Sequence, residues 1–463
     1  MSVDLSFHGG VSGVTGSCHL LKAGGLIVLV DCGFFQGSFE TEQRNRDDFG
    51  FDPASVDYLL LTHGHLDHCG RIPLLVRKGF RGKIICTSAT YDIARIIMLD
   101  TAQIQEEDAA HWKTIKKRKG LEATEPLYTT LDALDALRYF GEFAEYGKLV
   151  NLNDQVSVTF RDAGHILGAA FLEIDVAKEK RIVFSGDLGN RNKPIIRDPY
   201  YPQRADICIV ECTYSDRDHK DIETSVGELR DAVLATFKRG GNVLIPSFAI
   251  ERTQDMLFYL GRMYYKKELS SFRSFLDSPM AISVNEIMRR HPECFDEETA
   301  QMLAKNHDPF SFPGLHLTKT PDQSRSINAV ESHAIIIAGS GMCTGGRIKH
   351  HLKHNIWREE ASIVFVGYQA EGTLGRKIVD GNSEVKIFDE NYRVRATVYT
   401  IGGFSAHADR TILLDWLKHC EKPDHLFLVH GEDRALSSFG QEVKTHNIAK
   451  EIHVPVLHES YSL

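Results

Sequence analysis

Four side chains able to bind a metal ion fall within six residues of the sequence. They are His63, His65, Asp67 and His68, in the segment Leu-Thr-His-Gly-His-Leu-Asp-His at residues 61–68. The run before them is apolar and β-prone, so the cluster is predicted to follow a buried strand. Neutral imidazole nitrogens and a carboxylate are ligands that zinc and similar metals accept. This density of ligands favours a metal site over a solvated polar loop.

Length and composition indicate a chain of two domains in a reducing compartment. The chain has 463 residues, 42% of them hydrophobic, which exceeds the usual size of one domain. No apolar run is long enough to span a bilayer, and the N-terminus opens on an alternating strand instead of a leader. Nine cysteines without a Cys-x-x-Cys pair argue against a disulfide framework. We therefore predict a cytoplasmic protein with no membrane partner.

The net charge restricts how this chain can hold a polyanion. The formal net charge is −9, which argues against a basic surface that coats nucleic acid without specificity. Any nucleic-acid substrate would therefore be held by a local site.

Further ligand-type residues occur at the ends of other predicted strands. They are Asp31, His165, Asp187, Glu211 and His430. Each follows a β-prone run, as the first cluster does. Because His430 lies so late in the chain, we expect the C-terminal part to fold back onto the first domain.

The pattern of predicted elements changes after residue 211. Helices and short apolar strands then alternate, for example a helix at 252–265 and strands at 334–338 and 362–368. This alternation is typical of a parallel sheet covered by helices. Before it, strands at 3–7, 17–21 and 26–30 predict an antiparallel meander, and a helix is predicted from Asp67 through Val76.

Several motifs give the chain a family resemblance. The histidine cluster with distant His165, Asp187 and His430 resembles the metallo-β-lactamase superfamily. Later blocks resemble its β-CASP branch, nucleases that include the cleavage-and-polyadenylation endonuclease and its bacterial and archaeal relatives. These blocks lie, in family order, at residues 211–214 (Glu-Cys-Thr-Tyr), 245–252 (Ile-Pro-Ser-Phe-Ala-Ile-Glu-Arg), 339–342 (Gly-Ser-Gly-Met), 345–347 (Gly-Gly-Arg), 405–407 (Ser-Ala-His) and 429–431 (Val-His-Gly).

The resemblance implies an α/β fold with an inserted domain. The expected architecture is a metallo-β-lactamase αββα sandwich that contains a β-CASP domain with a helix-covered, mainly parallel sheet. The expected boundaries give a first part of the metallo-β-lactamase domain at 1–211, the β-CASP domain at 212–390, and the C-terminal part of the metallo-β-lactamase domain at 391–463.

The resemblance also implies a ligand set for two zinc ions. His63, His65 and His165 are expected to hold one ion, and Asp67, His68 and His430 the other. Asp187 is expected to bridge the two ions. Asp31 is expected to orient a ligand imidazole, as metal-bound histidines require, with a loop-capping carboxylate as the alternative.

Phosphodiester hydrolysis gives the catalytic residues their expected roles. A zinc pair supplies an activated water and neutralises charge on the phosphate, and Asp187 can take up the water's proton. His407 is the expected general acid for the leaving oxygen, held by Glu211, with a core or loop histidine as the alternative. The predicted catalytic residues are Asp67, Asp187, Glu211 and His407.

Phosphate contacts are predicted in the later blocks. Glycine-rich backbone near residue 340, a following helix and two arginines could bind a phosphate, although a glycine turn that closes a parallel strand has the same sequence signature. The candidates are Ser247, Arg252, Ser340, Arg347 and Ser405.

The leading prediction is a zinc-dependent ribonuclease that cuts single-stranded RNA endonucleolytically between its two domains. Histidine at residue 430 is typical of the members of the branch that act on RNA, whereas DNA-directed members tend to carry valine. With no added RNA-binding or dimerising segment, exonuclease activity and homo-oligomers are not indicated. The alternatives are a thioester-type metallo-hydrolase, an inactive RNA-processing scaffold, and a di-iron site that reduces oxygen.

Overall fold

The computed structural model describes residues 2–118, 125–269 and 272–463. The chain divides into two compact units. The first unit contains Met1–Arg191, Asp198–Asp218 and His407–Leu463, and the second contains Asn192–Arg197 and His219–Ala406. The domain boundaries expected after residues 211 and 390 remain a prediction.

Short strands dominate the first unit and alternate with helices in the second. In chain order the strands of the described residues are β1 Asp4–Gly9, β2 Cys18–Ala23, β3 Leu26–Val30, β4 Tyr58–Leu60, β5 Lys83–Thr87, β6 Phe140–Ala144, β7 Leu149–Asn151, β8 Val156–Asp162, β9 Ala170–Val176, β10 Lys180–Phe184, β11 Ile207–Glu211, β12 Val243–Pro246, β13 Arg273–Asp277, β14 Leu315–Leu317, β15 Ala334–Ala338, β16 Ser362–Phe365, β17 Glu384–Ile387, β18 Glu390–Arg393, β19 Thr397–Thr400, β20 His425–Val429, β21 Glu451–His453 and β22 Ser460–Ser462.

Several of the α-helices begin at a residue whose side chain caps them. Asp221, for example, accepts a hydrogen bond from the backbone N–H of Thr224 at the start of a long helix. The α-helices of the described residues are α1 Phe39–Gln43, α2 Leu66–Cys69, α3 Ile72–Arg77, α4 Ser88–Arg118, α5 Thr130–Ala136, α6 Ile222–Lys238, α7 Arg252–Tyr265, α8 Pro279–Met288, α9 Glu297–Ala304, α10 Pro321–Ser326, α11 Ile348–Asn355, α12 Leu374–Val379, α13 Arg410–Lys418 and α14 Asp433–Thr445.

Two seven-stranded sheets form the first unit. Their strand orders are β22-β1-β2-β3-β4-β5-β6 and β21-β20-β11-β10-β9-β8-β7. The predicted opening meander is confirmed, since β1, β2 and β3 pair antiparallel. Helix α4 packs on one sheet and α14 on the other. The predicted αββα sandwich is therefore confirmed.

The core of the first unit lies between its two sheets. Buried side chains from both sheets form one hydrophobic cluster, in which Phe7 and Leu60 of one sheet meet Phe160, Phe184 and Phe427 of the other. Each of these side chains is at most 1% exposed. Burial of apolar area on both inner faces holds the two layers together.

Three parallel strands of the second sheet bring their carboxyl ends to one edge. β10 pairs parallel with β11, and β11 pairs parallel with β20. Asp187 follows β10, Glu211 ends β11 and His430 follows β20. Parallel pairing therefore brings together three side chains that are far apart in sequence.

The second unit contains a parallel sheet, as the sequence predicts. The strand order is β14-β13-β15-β12-β16-β19, and every pairing in it is parallel. Buried residues of α11 and α12 pack on this sheet beside Leu244 and Phe365. The sheet is therefore helix-covered, and β19 belongs to it, while β17 and β18 form a separate antiparallel hairpin.

One predicted helix is wrong. The sequence pattern predicts a single helix from Asp67 through Val76, but the structure has two short helices, α2 and α3. Pro73, near the start of α3, has no N–H to donate to the carbonyl group of Cys69, so the first helix cannot continue. Because α2 and α3 are separate helices, the orientation of Asp67 and His68 on α2 is not tied to that of the buried apolar residues on α3.

The described residues contain no helix with the length and apolar character needed to cross a bilayer.

Phe7 provides a test of the packing between the sheets. Its ring is fully buried and lies 5.2 Å from the ring centroid of Phe427. We expect Phe7→Ala to lower the free energy of unfolding by about 3–5 kcal/mol, because it removes apolar contacts and leaves a cavity. Urea denaturation measures the change. The matched control is Phe39→Ala, at a ring that is 72% exposed, with an expected change within about 0.5 kcal/mol. Equal losses in the two variants would contradict this account of the core.

Candidate metal centre

Loops at the strand ends of the first unit bring the predicted ligands together. His63 and His65 follow β4, and Asp67 and His68 lie on α2 immediately after them. His165 lies in the turn between β8 and β9. Asp187 and His430 follow β10 and β20, so both sheets contribute to one cluster of seven side chains.

A first group consists of three imidazoles and one carboxylate. Nε2 of His63 and Nε2 of His165 lie 3.1 and 3.2 Å from Nδ1 of His65. The same two Nε2 atoms lie 3.4 and 3.5 Å from Oδ2 of Asp187. Ligands at 2.0–2.1 Å from a tetrahedral ion lie about 3.3 Å apart, so this group has the dimensions of one metal site.

A second group lies on the other side of the same carboxylate. Oδ1 of Asp187 is 3.3 Å from Nε2 of His68 and 3.6 Å from Nδ1 of His430. Oδ2 of Asp67 is 3.5 Å from Nε2 of His430. The two oxygens of Asp187 therefore face different groups, which is the arrangement that a bridging carboxylate requires.

Buried polar atoms without hydrogen-bond partners show that a metal fits here. Nε2 of His68, Nε2 of His430 and Oδ1 of Asp187 are buried and accept or donate no hydrogen bond. Leaving a buried polar atom unpaired is costly, and native structures rarely do so without a reason. A cation among these atoms would satisfy all three.

Burial keeps several of the imidazoles neutral. Burial, with the nearby charge of His68, lowers the pKa of His63 to about 3. Burial also lowers the pKa of His165 well below its usual value. A neutral imidazole has a free lone pair, and the neutral form is the one that binds a metal.

Asp31 holds His68 from behind. Its Oδ2 lies 2.7 Å from Nδ1 of His68, and both carboxylate oxygens accept hydrogen bonds from Thr62, at 2.8 Å from the backbone N–H and 2.9 Å from the hydroxyl group. Asp31 is 2% exposed. These contacts fix the ring and leave Nε2 of His68 facing Asp187, which is the geometry that the predicted orienting role requires.

Unusual backbone conformations aim two of these side chains. Asp31 and His430 have φ angles of 60° and 50°, which non-glycine residues rarely adopt. The backbone N–H of His430 donates to the carbonyl oxygen of Gly10 at 2.7 Å, and its carbonyl accepts from Cys212 at 3.2 Å. These hydrogen bonds hold His430 in the conformation that directs its ring into the cluster.

Gly189 permits a close approach behind His165. A Cβ atom on Gly189 would lie 1.6 Å from the carbonyl oxygen of Gly164. Only glycine fits there, and the contact brings the turn that carries His165 against the loop that follows Asp187.

Glu211 and His407 form a pair at the edge of the cluster. Nδ1 of His407 lies 3.2 Å from both carboxylate oxygens of Glu211 and 3.9 Å from Oδ2 of Asp187. Glu211 is fully buried and also accepts hydrogen bonds from the backbone N–H groups of Leu188 and Thr213, at 2.8 and 3.2 Å. The His407 side chain is 20% exposed, so it can reach a ligand from solvent.

The charges around His407 favour its imidazolium form. Burial acts to lower the pKa, but the carboxylates of Glu211 and Asp187 outweigh it and raise the pKa of His407 to about 9. The His407 carbonyl oxygen accepts a hydrogen bond from the side chain of Asn190 at 2.7 Å. The side chain and the backbone of His407 are both held in place.

Three residues of this site were missed in the sequence. Thr62 binds Asp31, Asn190 holds the backbone of His407, and the hydroxyl group of Thr213 lies 3.1 Å from Nδ1 of His430. Thr62 directly precedes His63, and Thr213 lies two residues after Glu211 in the same motif block. This nearness to candidate site residues is the sequence signal by which they could have been found. Asn190 has no comparable signal.

The predicted phosphate contacts Ser247, Arg252, Ser340, Arg347 and Ser405 all lie in the second unit. Arg252 is 7% exposed and pairs with Glu251 and Asp255 at 3.2 and 3.1 Å. Lys193 also pairs with Glu251. The guanidinium group of Arg252 is thus bound to acidic side chains within its own unit.

Arg347 is likewise bound within the second unit. Its Nη1 donates to Oδ1 of Asp277 at 2.7 Å and to the carbonyl oxygen of Thr318 at 2.9 Å. The hydroxyl group of Ser340 lies 3.3 Å from that of Thr344, and the hydroxyl group of Ser247 accepts from Thr253 at 3.1 Å. Phosphate binding by these residues stays a prediction.

Three family profiles match successive parts of the chain. They are "Metallo-beta-lactamase superfamily" at residues 11–122, "Beta-Casp domain" at residues 253–378 and "Zn-dependent metallo-hydrolase RNA specificity domain" at residues 391–455. The chain belongs to the β-CASP branch of the metallo-β-lactamase superfamily, a class of metal-dependent hydrolases.

Relatives match over nearly the whole length of the chain. A ribonuclease of Thermus thermophilus, TTHA0252, is 40% identical over 428 residues, which are 92% of this chain and 93% of the relative. The transcription termination factor FttA of Methanocaldococcus jannaschii is 30% identical over 98% of this chain and 70% of its own length. A solved structure of a protein of unknown function from Enterococcus faecalis has a TM-score of 0.56 at 14% identity, with both chains fully covered, which shows likeness of fold alone.

Asp31 provides a test of the metal centre that leaves every expected ligand in place. In Asp31→Asn the side chain keeps its size but loses the charge that orients His68 and supports its basicity. We expect metal affinity to fall by about 10- to 100-fold, measured by competition with a chromogenic chelator.

The matched control for this test is Asp175→Asn, which removes a carboxylate that pairs with Arg181 at 2.8 Å elsewhere in the first unit. It should leave metal affinity unchanged. Unaltered affinity in Asp31→Asn would show that Asp31 only caps a loop.

Proposed function

We propose that this protein is a zinc-dependent ribonuclease that hydrolyses phosphodiester bonds of single-stranded RNA endonucleolytically. One observation carries the proposal. The imidazole of His407 is held by the buried carboxylate of Glu211 and lies beside Asp187, which has imidazoles on both sides. A general acid next to a two-metal site is what phosphodiester hydrolysis needs. The similarity to a ribonuclease over 92% of the chain supports the choice of RNA.

The residues of the cluster would hold two zinc ions. His63, His65 and His165 would bind one ion, Asp67, His68 and His430 the other, and Asp187 both. When bound, such a pair lowers the pKa of water and neutralises charge that develops on the phosphate. Asp31 would keep the ring of His68 in its binding orientation.

The protein's own side chains would move the protons. Asp187, with Asp67 nearby, would take up the proton that the attacking water releases. His407 would donate a proton to the leaving ribose oxygen, and Glu211 would hold the imidazolium ring and keep it protonated. Glu211 is itself fixed by two backbone N–H groups, so the ring has little freedom to turn away.

Further features belong to this proposal. Histidine at residue 430 matches the members of the branch that act on RNA. Ser247, Arg252, Ser340, Arg347 and Ser405 are the proposed phosphate contacts of the second unit. We also propose a cytoplasmic location and the domain boundaries 1–211, 212–390 and 391–463. The thioesterase alternative has no comparable support, because a thiolate leaving group does not need the acid that His407 provides.

A substrate panel tests the proposed activity. Purified protein would be incubated with internally labelled and end-labelled single-stranded RNA, the same RNA as a duplex, matched DNA, and a generic thioester. We expect internal cuts in single-stranded RNA with slower cleavage of the duplex and the DNA. Turnover of the thioester alone, or preference for DNA, would refute the proposal. Mononucleotides released in sequence from one end would refute its endonucleolytic part.

His407→Ala tests the proposed acid. We expect RNA cleavage to slow by about 10²- to 10⁴-fold, the usual contribution of a general acid, while both metal ions remain bound. Cleavage of a phosphodiester with a nitrophenolate leaving group should hardly change, because that group leaves without a proton. Rates on the two substrates and the metal content per chain are the measurements.

His419→Ala is the matched control for this experiment, since it removes an exposed histidine of the first unit. It should retain full activity on both substrates. If His407→Ala loses metal, or slows both substrates equally, His407 is not the acid.

A further inference from the structure

A second cluster of metal-binding side chains lies in the first unit, outside the candidate centre. It consists of His425, Glu451 and His453, whose possible ligand atoms all lie within 4.8 Å of one another. His425 begins β20, and Glu451 and His453 are the two ends of the edge strand β21. We call this set the edge-strand cluster.

The pairing of the two strands explains why these residues meet. β20 and β21 run parallel, with His425 opposite Glu451 and Phe427 opposite His453. Residues two apart on a strand point to the same face, so Glu451 and His453 project together beside His425. His430 follows the opposite end of β20, about 16 Å along the chain direction from His425. The edge-strand cluster is therefore distinct from the candidate metal centre.

The spacing of its donor atoms matches one face of a tetrahedral site. Nδ1 of His425 lies 3.2 Å from Nε2 of His453. Oε2 of Glu451 lies 3.3 Å from the His425 atom and 3.6 Å from the His453 atom. Ligands bound at 2.0–2.2 Å to a tetrahedral zinc ion are about 3.3–3.5 Å apart. The three separations are close to these values and nearly equal.

A hydrogen-bonded triad accounts less well for this geometry. A hydrogen bond joins one donor atom and one acceptor atom. It would therefore shorten one of the three distances and leave the third atom further away. Here all three atoms are nearly equidistant, and two ring nitrogens face each other.

Aromatic neighbours hold the cluster ready to bind. The ring of His453 stacks on Phe427, with centroids 4.7 Å apart and planes at 20°. The ring of Tyr461 packs edge-on against the ring of His453, with centroids 5.1 Å apart and planes at 66°. The side chains of His425, His453 and Glu451 are 24%, 20% and 63% exposed. All three side chains are therefore partly exposed to solvent.

We propose that His425, Glu451 and His453 bind one further divalent transition-metal ion of the zinc class, which fastens the edge strand β21 to β20. Two imidazoles and one carboxylate are a ligand set that zinc accepts, with the fourth position open to water. Because the site has three protein ligands and faces solvent, it should bind zinc more weakly than the buried centre. Its occupancy does not depend on the activity proposed above.

Zinc content at two free concentrations tests this proposal. The full chain would be dialysed to equilibrium against buffered zinc, first at a low free concentration that fills the buried centre, then at about 10 μM. We expect the wild type to gain about one zinc ion per chain between the two conditions, and His453→Gln to gain none. The thermal unfolding midpoint should rise with the second step in the wild type only, since the ion binds the folded state.

Two further variants make the result decisive. His446→Gln changes an exposed histidine outside the cluster and should gain zinc as the wild type does. Glu451→Gln alters a mostly exposed carboxylate, so it should keep the fold and lose the additional ion if His453→Gln is unstable. RNA cleavage should be unchanged in all three variants. The proposal is overturned if the wild type gains no zinc at the second step, or if Glu451→Gln gains the same amount as the wild type.

Discussion

The Asp187 carboxylate lies in the interior of the first unit with imidazoles on both sides of it. A buried carboxylate loses its hydration, and the cost is several kcal/mol unless positive charge or hydrogen bonds replace the water. Oδ2 faces His63 and His165, and Oδ1 faces His68 and His430, with no hydrogen bond to Oδ1. Imidazoles thus surround the Asp187 carboxylate in place of water, which is the setting that a bound cation requires.

Parallel pairing extends this constraint to the proposed catalytic pair. β10, β11 and β20 are neighbours, so Asp187 and Glu211 lie side by side at their carboxyl ends. Glu211 then holds His407 beside Asp187. The same sheet positions Asp187 and Glu211, and Glu211 lies within hydrogen-bond distance of His407, 196 positions further along the chain.

Sequence predicted most of the strands and the residues of the cluster, because each ligand stands at the end of an apolar run. The fold and the meeting of distant His165, Asp187 and His430 required the family resemblance, since no local pattern encodes which strand ends are neighbours. The break between α2 and α3 was missed because the apolar spacing continues across Pro73. The partners of Arg252 and Arg347, and the cluster of His425 with His453, depend on tertiary contacts that spacing cannot show.

We propose that one carboxylate, Asp187, bridges two metal ions. Anomalous diffraction from crystals of the zinc-loaded protein, recorded on both sides of the zinc absorption edge, tests it directly. We expect two zinc peaks in the first unit, one beside each oxygen of Asp187. His63, His65 and His165 should surround one peak, and Asp67, His68 and His430 the other. A single peak, or two peaks that do not share Asp187, would contradict it.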